Sequence, residues 1–519
     1  MNKNNYKEAT NVYSRKLTML YKSMLVGFFV GIVVVAYRLM LLNAENLSFK
    51  IYDFLRENLR FLPAGFVILG LFGYLVGLLV SKYTMISGSG IPQVKGIMMG
   101  YFKCSWISTL IAKFIGGAIS ILGGLSLGRE GPSVQLGACV AEGIGQKLAN
   151  SRTEKKVLIA SGASAGLAAA FNAPLAGTMF AMEEIFKYFS PIILLSTMAS
   201  AMVADFISKM VFGISPVFNF DITSSIPLSG YWLLCILGIA LGIFGAIYNS
   251  ILLKTQKLYK SAKWLNAKTQ TIIPFLFAGV FGIIFPVVLG GGHRVIEELQ
   301  LSTSILFILL IFVVKFVFSM ISFGSGAPGG IFFPLLIIGA TIGAMFGNVA
   351  VNYFGFDAVL FYNFIILAMA GYFTAIVRAP ITGIILLVEM TGSFTHLLSL
   401  TVVCIVAYIT ADLLNSAPIY ESLLENQIAD KKSNTGACDE GKKITMEMVV
   451  HYGSPVEKKL VKDIDIPKNS LLIAIRRLGN DITPNGDTQI LAEDYLVFIT
   501  DLSTETSTRE LLEKITSAE

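Results

Sequence analysis

Residues 121–140 read ILGGLSLGREGPSVQLGACV, a stretch that places two charged residues, Arg129 and Glu130, between glycines in strongly apolar surroundings. An ionisable residue at the centre of a bilayer costs roughly 2.5–3.5 kcal/mol on insertion scales, and such residues usually mark ion or proton paths. The segment Gly128-Arg129-Glu130-Gly131-Pro132 therefore predicts either such a path, with Glu130 as a carboxylate gate, or a structural Arg129–Glu130 pair in a loop.

The composition around this segment is that of a membrane protein. The 519 residues are 54% hydrophobic and 14% charged, with a mean hydropathy of +0.70, outside the range of soluble globular chains. A helix needs roughly 20 apolar residues to cross ~30 Å of hydrocarbon, and we expect an all-α polytopic fold of roughly 10 to 18 helical pieces, many broken by Gly or Pro. Apolar runs include residues 24–42, 62–80, 232–252, 272–289, 306–321 and 399–409.

The charged ends of the chain predict its orientation. Five basic residues precede the first apolar run, so residues 1–22 are expected to form a cytoplasmic segment. The polar tail after Tyr420 is expected on the same side, giving a multi-pass protein of the cell membrane. The net charge of +6 lies mainly in the termini and loops and does not indicate nucleic-acid binding.

Neither catalysis nor metal binding is expected. The five cysteines are scattered singly, and the three histidines form no metal-binding spacing. A membrane-embedded enzyme would need a nucleophile with a base in reach or a metal cluster, and no histidine is expected near the Gly-rich motifs. We therefore predict no enzyme activity, no metal and no cofactor.

An internal repeat is visible in three ordered pairs of segments. Gly88-Ser89-Gly90 corresponds to Gly290-Gly291-Gly292 at an offset of 202 (290 − 88), and Pro132 corresponds to Pro334 at the same offset. The segment Ala173–Gly177 with Glu183 corresponds to Ala379–Gly383 with Glu389 at 206 (380 − 174). Transporters built from two halves place their substrate site where the halves meet, at broken helices. We expect a transmembrane domain over 23–425, with halves at about 23–215 and 229–425.

Helix N-termini preceded by glycine predict an anion path. Such ends offer unpaired N–H groups and a favourable dipole, and glycine lets an ion approach the backbone. Gly88-Ser89-Gly90-Ile91-Pro92 fits this device, with a hydroxyl between the glycines and a proline at the first helical turn; a plain turn is the alternative. In Gly330-Ile331-Phe332-Phe333-Pro334 any ion contact would come from the N–H groups of Ile331 and Phe332, and the Phe rings alone could be core residues.

Two adjacent glutamates follow the apolar stretch that begins at Pro174. Glu183 has a counterpart in Glu389, which indicates a shared structural role such as capping or tethering a helix end. Glu184 has none, so it is a candidate proton acceptor beside the anion path.

The segment after residue 421 changes character. Short alternating stretches at 470–475 and 494–499 predict strands, 481–487 carries turn residues, and 507–517 predicts a helix. We expect a polar linker at 426–443 and a small α+β cytoplasmic domain at 444–519.

Together these motifs closely resemble the CLC family of chloride channels and chloride/proton exchangers. The resemblance rests on the segments at Gly88–Pro92, Gly128–Pro132, Ala168–Glu184, Gly326–Pro334 and Arg378–Gly383, and on Tyr420 in Ala417-Pro418-Ile419-Tyr420. The tail resembles the TrkA-C domain of potassium-uptake proteins, through 471–477 and 482–488.

The resemblance implies a homodimer whose subunits each contain two inverted halves. It implies that chloride is held by the Ser89 hydroxyl, the Tyr420 phenol and the N–H groups of Ile331 and Phe332, with Glu130 as external gate and proton carrier. Glu184 would be the internal proton-transfer residue of exchangers, which favours antiport over a passive gated chloride channel. The expected partners are then chloride, protons and membrane lipid. Two roles of the tail stay open: binding of a small ligand, or a passive brace of the dimer.

Within the resemblance, Ser89 and Pro132 imply a preference for chloride over nitrate and fluoride. The one local departure noted is His293, read as a loop histidine.

Overall fold

The computed structural model describes residues 3–218, 220, 224–262, 265–435, 443–468, 470–477, 480–501 and 505–517. The chain divides into two compact units, up to Ile428 and from Ala429 onward. In the linker predicted at 426–443, residues 426–435 are helical and residues 436–442 lie outside the described residues. The helices are α1 (Lys3–Glu57), α2 (Leu62–Lys82), α3 (Ile91–Met99), α4 (Trp106–Leu122), α5 (Glu130–Leu148), α6 (Arg152–Phe171), α7 (Pro174–Phe180), α8 (Pro191–Phe212), α9 (Tyr231–Ser261), α10 (Ile272–Ile284), α11 (His293–Glu298), α12 (Ile305–Gly324), α13 (Phe332–Phe354), α14 (Phe361–Val377), α15 (Pro380–Thr391), α16 (Leu397–Leu413), α17 (Ile419–Thr435) and α18 (Glu505–Thr516).

The first unit is helical and apolar, as the composition predicts. Seven helical segments among the described residues are long and apolar enough to cross a membrane, from Lys16–Glu57 near the N-terminus to Ala358–Val377. Several helices begin with proline in their first turn, including α3 at Pro92 and α7 at Pro174. Proline suits this position because its missing N–H would have no partner in the helix. The predicted short, broken helices are therefore confirmed.

The repeat is visible as reciprocal backbone contacts between the halves. Gly128 and Gly330, 202 residues apart, exchange two N–H···O bonds of 2.7 Å as an antiparallel bridge. The N–H of Gly88 donates to Gly326 O at 3.2 Å, and its equivalent Gly290 donates to Gly124 O at 3.1 Å. Such mutual contacts are those of a twofold relation, and the first unit is a pair of inverted halves.

The two glycine turns have the same conformation in both halves. Gly88 and Gly290 have φ of 63° and 61°, and Gly90 and Gly292 have φ of 100° and 109°. These left-handed values favour glycine because a side chain there would be strained. Each turn delivers the chain into a short helix, α3 or α11, with the same geometry.

A buried lysine braces each of these turns. The Lys113 ammonium donates to Ile86 O at 2.9 Å and to Gly88 O at 2.6 Å. Lys315, again 202 residues later, donates to Val288 O and Gly290 O, both at 2.8 Å. Both lysines are fully buried, so their paired carbonyls satisfy charges that would otherwise be costly in hydrocarbon. Neither lysine was singled out from the sequence.

The second unit is a four-stranded antiparallel sheet with a helix. Its strands are β1 (Lys443–Val449), β2 (Ser470–Arg477), β3 (Asn480–Ile482) and β4 (Tyr495–Asp501), in the order β1-β4-β2-β3. Alternate residues of β1 and β4, such as Met446 and Phe498, face an apolar core that includes Leu512 of α18. The two predicted strands and the closing helix are confirmed. Strands β1 and β3 were not predicted, and β3 includes the first two residues of the segment 481–487 that was predicted as a turn.

Candidate anion and proton site

Helix N-termini from both halves meet around Ser89. Helix α3 begins two residues after it, α5 begins at Glu130 and α13 begins at Phe332. The approach is close: a Cβ added to Gly131 would lie 2.2 Å from Ser89 Oγ. Because the first four N–H groups of a helix have no partner within it, these ends concentrate donors in one place. The sequence-predicted Gly-rich motifs are therefore brought together.

Two hydroxyls are buried in this place without hydrogen-bond partners. Ser89 Oγ and Tyr420 Oη have none among the described residues, and the two residues are 1% and 0% exposed. The Tyr420 phenol, in the first turn of α17, faces the Ser89 hydroxyl. A buried polar group left unsatisfied costs about 1–3 kcal/mol, so a bound group that pairs with these hydroxyls would recover that cost. Each hydroxyl can donate to an anion or accept from a donor.

The Phe332 ring at the α13 N-terminus packs in the apolar core. The Phe332 ring packs on Phe171, Phe180 and Phe373, with ring centroids 4.7–6.5 Å apart. Its backbone N–H and that of Ile331 belong to the start of the helix, where N–H groups have no helical acceptor. The Phe332 ring is therefore a core residue, and the role of the Ile331 and Phe332 N–H groups as anion donors stays a prediction.

Glu130 lies at the first position of α5 with its carboxylate against the other half. The carboxylate faces the N–H groups of Phe333 and of Glu130 itself, while its Oε2 has no hydrogen-bond partner. Arg129 Nε is 3.8 Å from Oε1, which is longer than a hydrogen bond. The structural ion pair considered for this loop is therefore loose and leaves the carboxylate free to act. A carboxylate at a helix N-terminus occupies the position that suits an anion.

A cavity leads to this carboxylate. Its lining includes Glu45, Arg129, Glu130, His293 and Phe333. His293 is the first residue of α11 and its ring centroid is 4.3 Å from that of Phe333. The expectations of a plain loop histidine and of no histidine near the Gly-rich motifs are therefore wrong, because the inverted halves bring α11 against α13.

Glu183 and Glu389 tether helix ends reciprocally, as their repeat relation predicts. The Glu389 carboxylate accepts from Leu175 N at 3.1 Å and Ala176 N at 2.8 Å, at the start of α7. Glu183 accepts from Ile381 N at 3.1 Å and Thr382 N at 2.7 Å, at the start of α15. Each carboxylate satisfies unpaired N–H groups of the opposite half.

Removing one tether is expected to destabilise the protein. Glu389→Ala leaves two N–H groups of α7 without acceptors and should lower the free energy of unfolding by about 1–3 kcal/mol. Glu183→Ala should do the same at α15, whereas Glu297→Ala, at an exposed position, serves as the control. Thermal unfolding in detergent measures the effect. Equal midpoints for Glu389→Ala and Glu297→Ala would show that the tether carries no stability.

Glu184 is in a different environment from Glu183. It lies in the π-helical turn Ala181–Phe186 that follows α7, and it lines a second cavity with Lys187 and Arg378. Its Oε1 accepts from Lys95 Nζ at 2.7 Å, with side-chain exposures of 4% and 0%. The sequence analysis missed Lys95, although a single charge in the apolar helix α3 was a signal that could have found it. The proton-acceptor candidate is thus held in a buried ion pair.

Comparisons with known proteins agree with this geometry. The sequence model of the family described as voltage gated chloride channel matches residues 72–412, and that of the TrkA-C domain matches residues 445–513. The chain is 37% identical over 355 residues to a protein of Vibrio parahaemolyticus serotype O3:K6 named H(+)/Cl(−) exchange transporter ClcA, covering 67% of this chain and 76% of the relative. A protein of the same name from Salmonella typhi is 31% identical over 81% of this chain and 91% of its own length. The crystal structure of a slow cyanobacterial Cl−/H+ antiporter superposes with a TM-score of 0.76 at 29% identity, over 80% of this chain and 99% of that one.

Proposed function

Because the chain belongs to the voltage-gated chloride channel family, also called CLC, we propose that it is a chloride/proton antiporter of the cell membrane. One observation carries the proposal: two unpartnered buried hydroxyls, Ser89 and Tyr420, face the meeting point of helix N-termini, beside a buried carboxylate. Donors bind the anion, and the carboxylate is the group that can compete with it and carry a proton. The relatives named as exchange transporters support the same activity.

Chloride binds where water is replaced by fixed donors. The Ser89 hydroxyl and the Tyr420 phenol donate from one side, and the N–H groups of Ile331 and Phe332 donate from the start of α13. Gly88 and Gly90 shape the turn that exposes Ser89, and Pro92 starts α3 behind it. These donors and the helix dipoles replace the water molecules that the anion loses when it enters the site.

Glu130 couples the anion to the proton. Ionised, its carboxylate takes the donors at the α5 and α13 N-termini and excludes chloride from that position. Protonated, it loses its charge and no longer competes, so chloride can enter while the proton is carried. Gly128 and Gly131 permit the close packing around it, Pro132 lies in the first turn of α5, and Arg129 offsets the charge loosely.

Glu184 receives protons from the opposite side of the path. Its carboxylate is buried near the Tyr420 phenol and also lines the second cavity. A group with both contacts can connect water to the region of the anion site. This position gives protons an inner entry, which proton-coupled exchange uses and a passive channel does not need.

The orientation and assembly follow the family resemblance. We place residues 1–22 and the tail from 444 in the cytoplasm, and we expect a homodimer in which each subunit has its own path, with membrane lipid covering the remaining apolar surface. The tail either binds a small ligand or braces the dimer. Chemical cross-linking in native membranes checks the subunit number.

Antiport is tested in liposomes. Purified protein is reconstituted, a chloride gradient is imposed, and chloride efflux and external pH are recorded together without a protonophore. We expect protons to move against their own gradient in fixed ratio to chloride. Chloride efflux with no coupled proton movement would instead identify a passive channel.

A further inference from the structure

A row of alternating charges leads from Lys187 through Glu421 and Lys95 to Glu184, and its two end residues both line the second cavity. Lys95 Nζ is 2.7 Å from Glu184 Oε1 and 3.7 Å from Glu421 Oε1, and Lys187 pairs with the same Glu421 oxygen. Side-chain exposure falls along the row, from 46% at Lys187 and 29% at Glu421 to 0% at Lys95. The row therefore joins solvent to a fully buried ammonium.

We propose that this row is the path by which protons reach Glu184, with Lys95 as its direct proton donor. The proposal rests on the proposed function, since it names the donor of the same internal site. The residues come from three elements: Lys95 from α3, Glu421 from α17, and Lys187 from the end of the π-helical turn. Glu184, where the row ends, lies near the Tyr420 phenol of the anion site.

The backbone at Lys187 supports the assignment. Lys187 is the C-cap of the π-helical turn and has φ of 61°. This left-handed conformation is strained for a residue with a side chain, and such strain clusters at functional sites. Glycine would fit the backbone with less strain but would leave Glu421 without its outer partner.

The other charged groups around this cavity are engaged elsewhere. Glu183 accepts from the N–H groups that begin α15. Arg378 donates to Tyr408 O at 2.6 Å and Ser416 O at 2.8 Å, and its Nη2 is 3.6 Å from Asp412. The Lys95 ammonium is thus the cation placed to exchange a proton with Glu184.

The transfer conserves protons and charge at each step. The Nζ–H bond of Lys95 breaks as an O–H bond forms on Glu184, which turns the ion pair into a neutral amine and a neutral acid. Glu421, protonated from the cavity or from Lys187, then gives its proton to the Lys95 amine and restores the ammonium. The net result is one proton moved from water to Glu184.

Lys95→Arg separates proton transfer from simple charge pairing. The guanidinium keeps the positive charge and can pair with Glu184, but it does not deprotonate in proteins. We expect Lys95→Arg and Lys95→Met to exchange chloride while the rate of proton transport falls about 100-fold, the lower end of what a positioned proton donor contributes to a rate, so that fewer protons move per chloride. A purely structural Lys95 predicts instead that arginine preserves the wild-type ratio.

The matched control is Lys22→Arg, since Lys22 pairs with Glu154 at 2.6 Å away from the row; it should keep the wild-type ratio. Liposomes that record chloride and pH together supply the readout. If the wild type moves no protons, the proposed function fails. If it does, and Lys95→Arg or Lys95→Met carries both ions at the wild-type ratio, only the relay is overturned. Should neither variant carry chloride, Glu421→Gln, at a partly exposed position, decides: unchanged coupling overturns the relay, and reduced coupling supports it.

Discussion

Glu130→Ala is expected to abolish proton transport and to leave chloride transport. The carboxylate is 1% exposed and faces the N–H group of Phe333 at the start of α13. Alanine cannot carry a proton, and it cannot compete with chloride for those donors. Chloride efflux and pH, recorded together in liposomes, measure the separation of the two fluxes.

The control for this variant is Glu45→Gln. Glu45 lines the same cavity as Glu130, so it reports any effect of removing a carboxylate charge from that cavity. We expect Glu45→Gln to keep the coupling of the wild type. Proton movement that persists in Glu130→Ala would remove Glu130 from the proton route.

Gly131→Ala is expected to damage the anion site. The added Cβ would lie 2.2 Å from Ser89 Oγ and 2.9 Å from Ser89 O, which is backbone and cannot rotate away. Relief of this overlap displaces the Ser89 hydroxyl, and a lost hydrogen bond to a charged ligand costs about 1.5–3 kcal/mol, where every 1.4 kcal/mol is about tenfold in affinity. Calorimetric titration of the detergent-purified protein with chloride should therefore show a loss of about tenfold or more.

Gly70→Ala is the matched control, because a Cβ at Gly70 meets nothing within 4 Å. It lies in α2, where alanine is a better helix former than glycine, so its chloride affinity should equal that of the wild type. Size-exclusion profiles of both variants separate lost binding from lost folding. An unchanged affinity in a folded Gly131→Ala would place the anion away from Ser89.

The repeat made much of the membrane unit predictable. An offset of 202 residues, seen in glycine and proline alone, correctly relates the turns at Gly88 and Gly290. It also relates the facing residues Gly128 and Gly330. The paired tethers of Glu183 and Glu389 followed from the same comparison. Repetition is informative because the two halves pack in the same way and use the same residue types at equivalent positions.

The long-range partners of buried charges were not predictable in this way. Lys95 and Glu184 are far apart in sequence, and Lys113 and Lys315 bond to backbone carbonyls, which leave no signature of residue type. His293 was misjudged because its neighbour Phe333 belongs to a separate helix. Such contacts depend on how the two inverted halves pack, and local periodicity carries no information about that.

The tail illustrates the opposite case. Two of its strands and its helix were predicted from alternation and turn residues, because β4 buries alternate side chains, Leu496 and Phe498, in a small core. In β2 the core residues Leu472 and Ile475 are three apart, across a register shift. The Arg477 guanidinium donates to both Asp494 oxygens, at 2.8 and 2.7 Å, and this bidentate pair raises the pKa of Arg477. The strands β1 and β3 and the pairing across the sheet required the structure.

The central claim is that chloride and proton movements are obligatorily coupled in one protein. Its most direct test clamps the voltage of reconstituted liposomes with valinomycin and finds the voltage at which net proton flux is zero. Coupled exchange predicts that this voltage shifts when the chloride gradient alone is changed, with the pH gradient held constant. A zero-flux voltage that stays the same when the chloride gradient is changed would contradict the account.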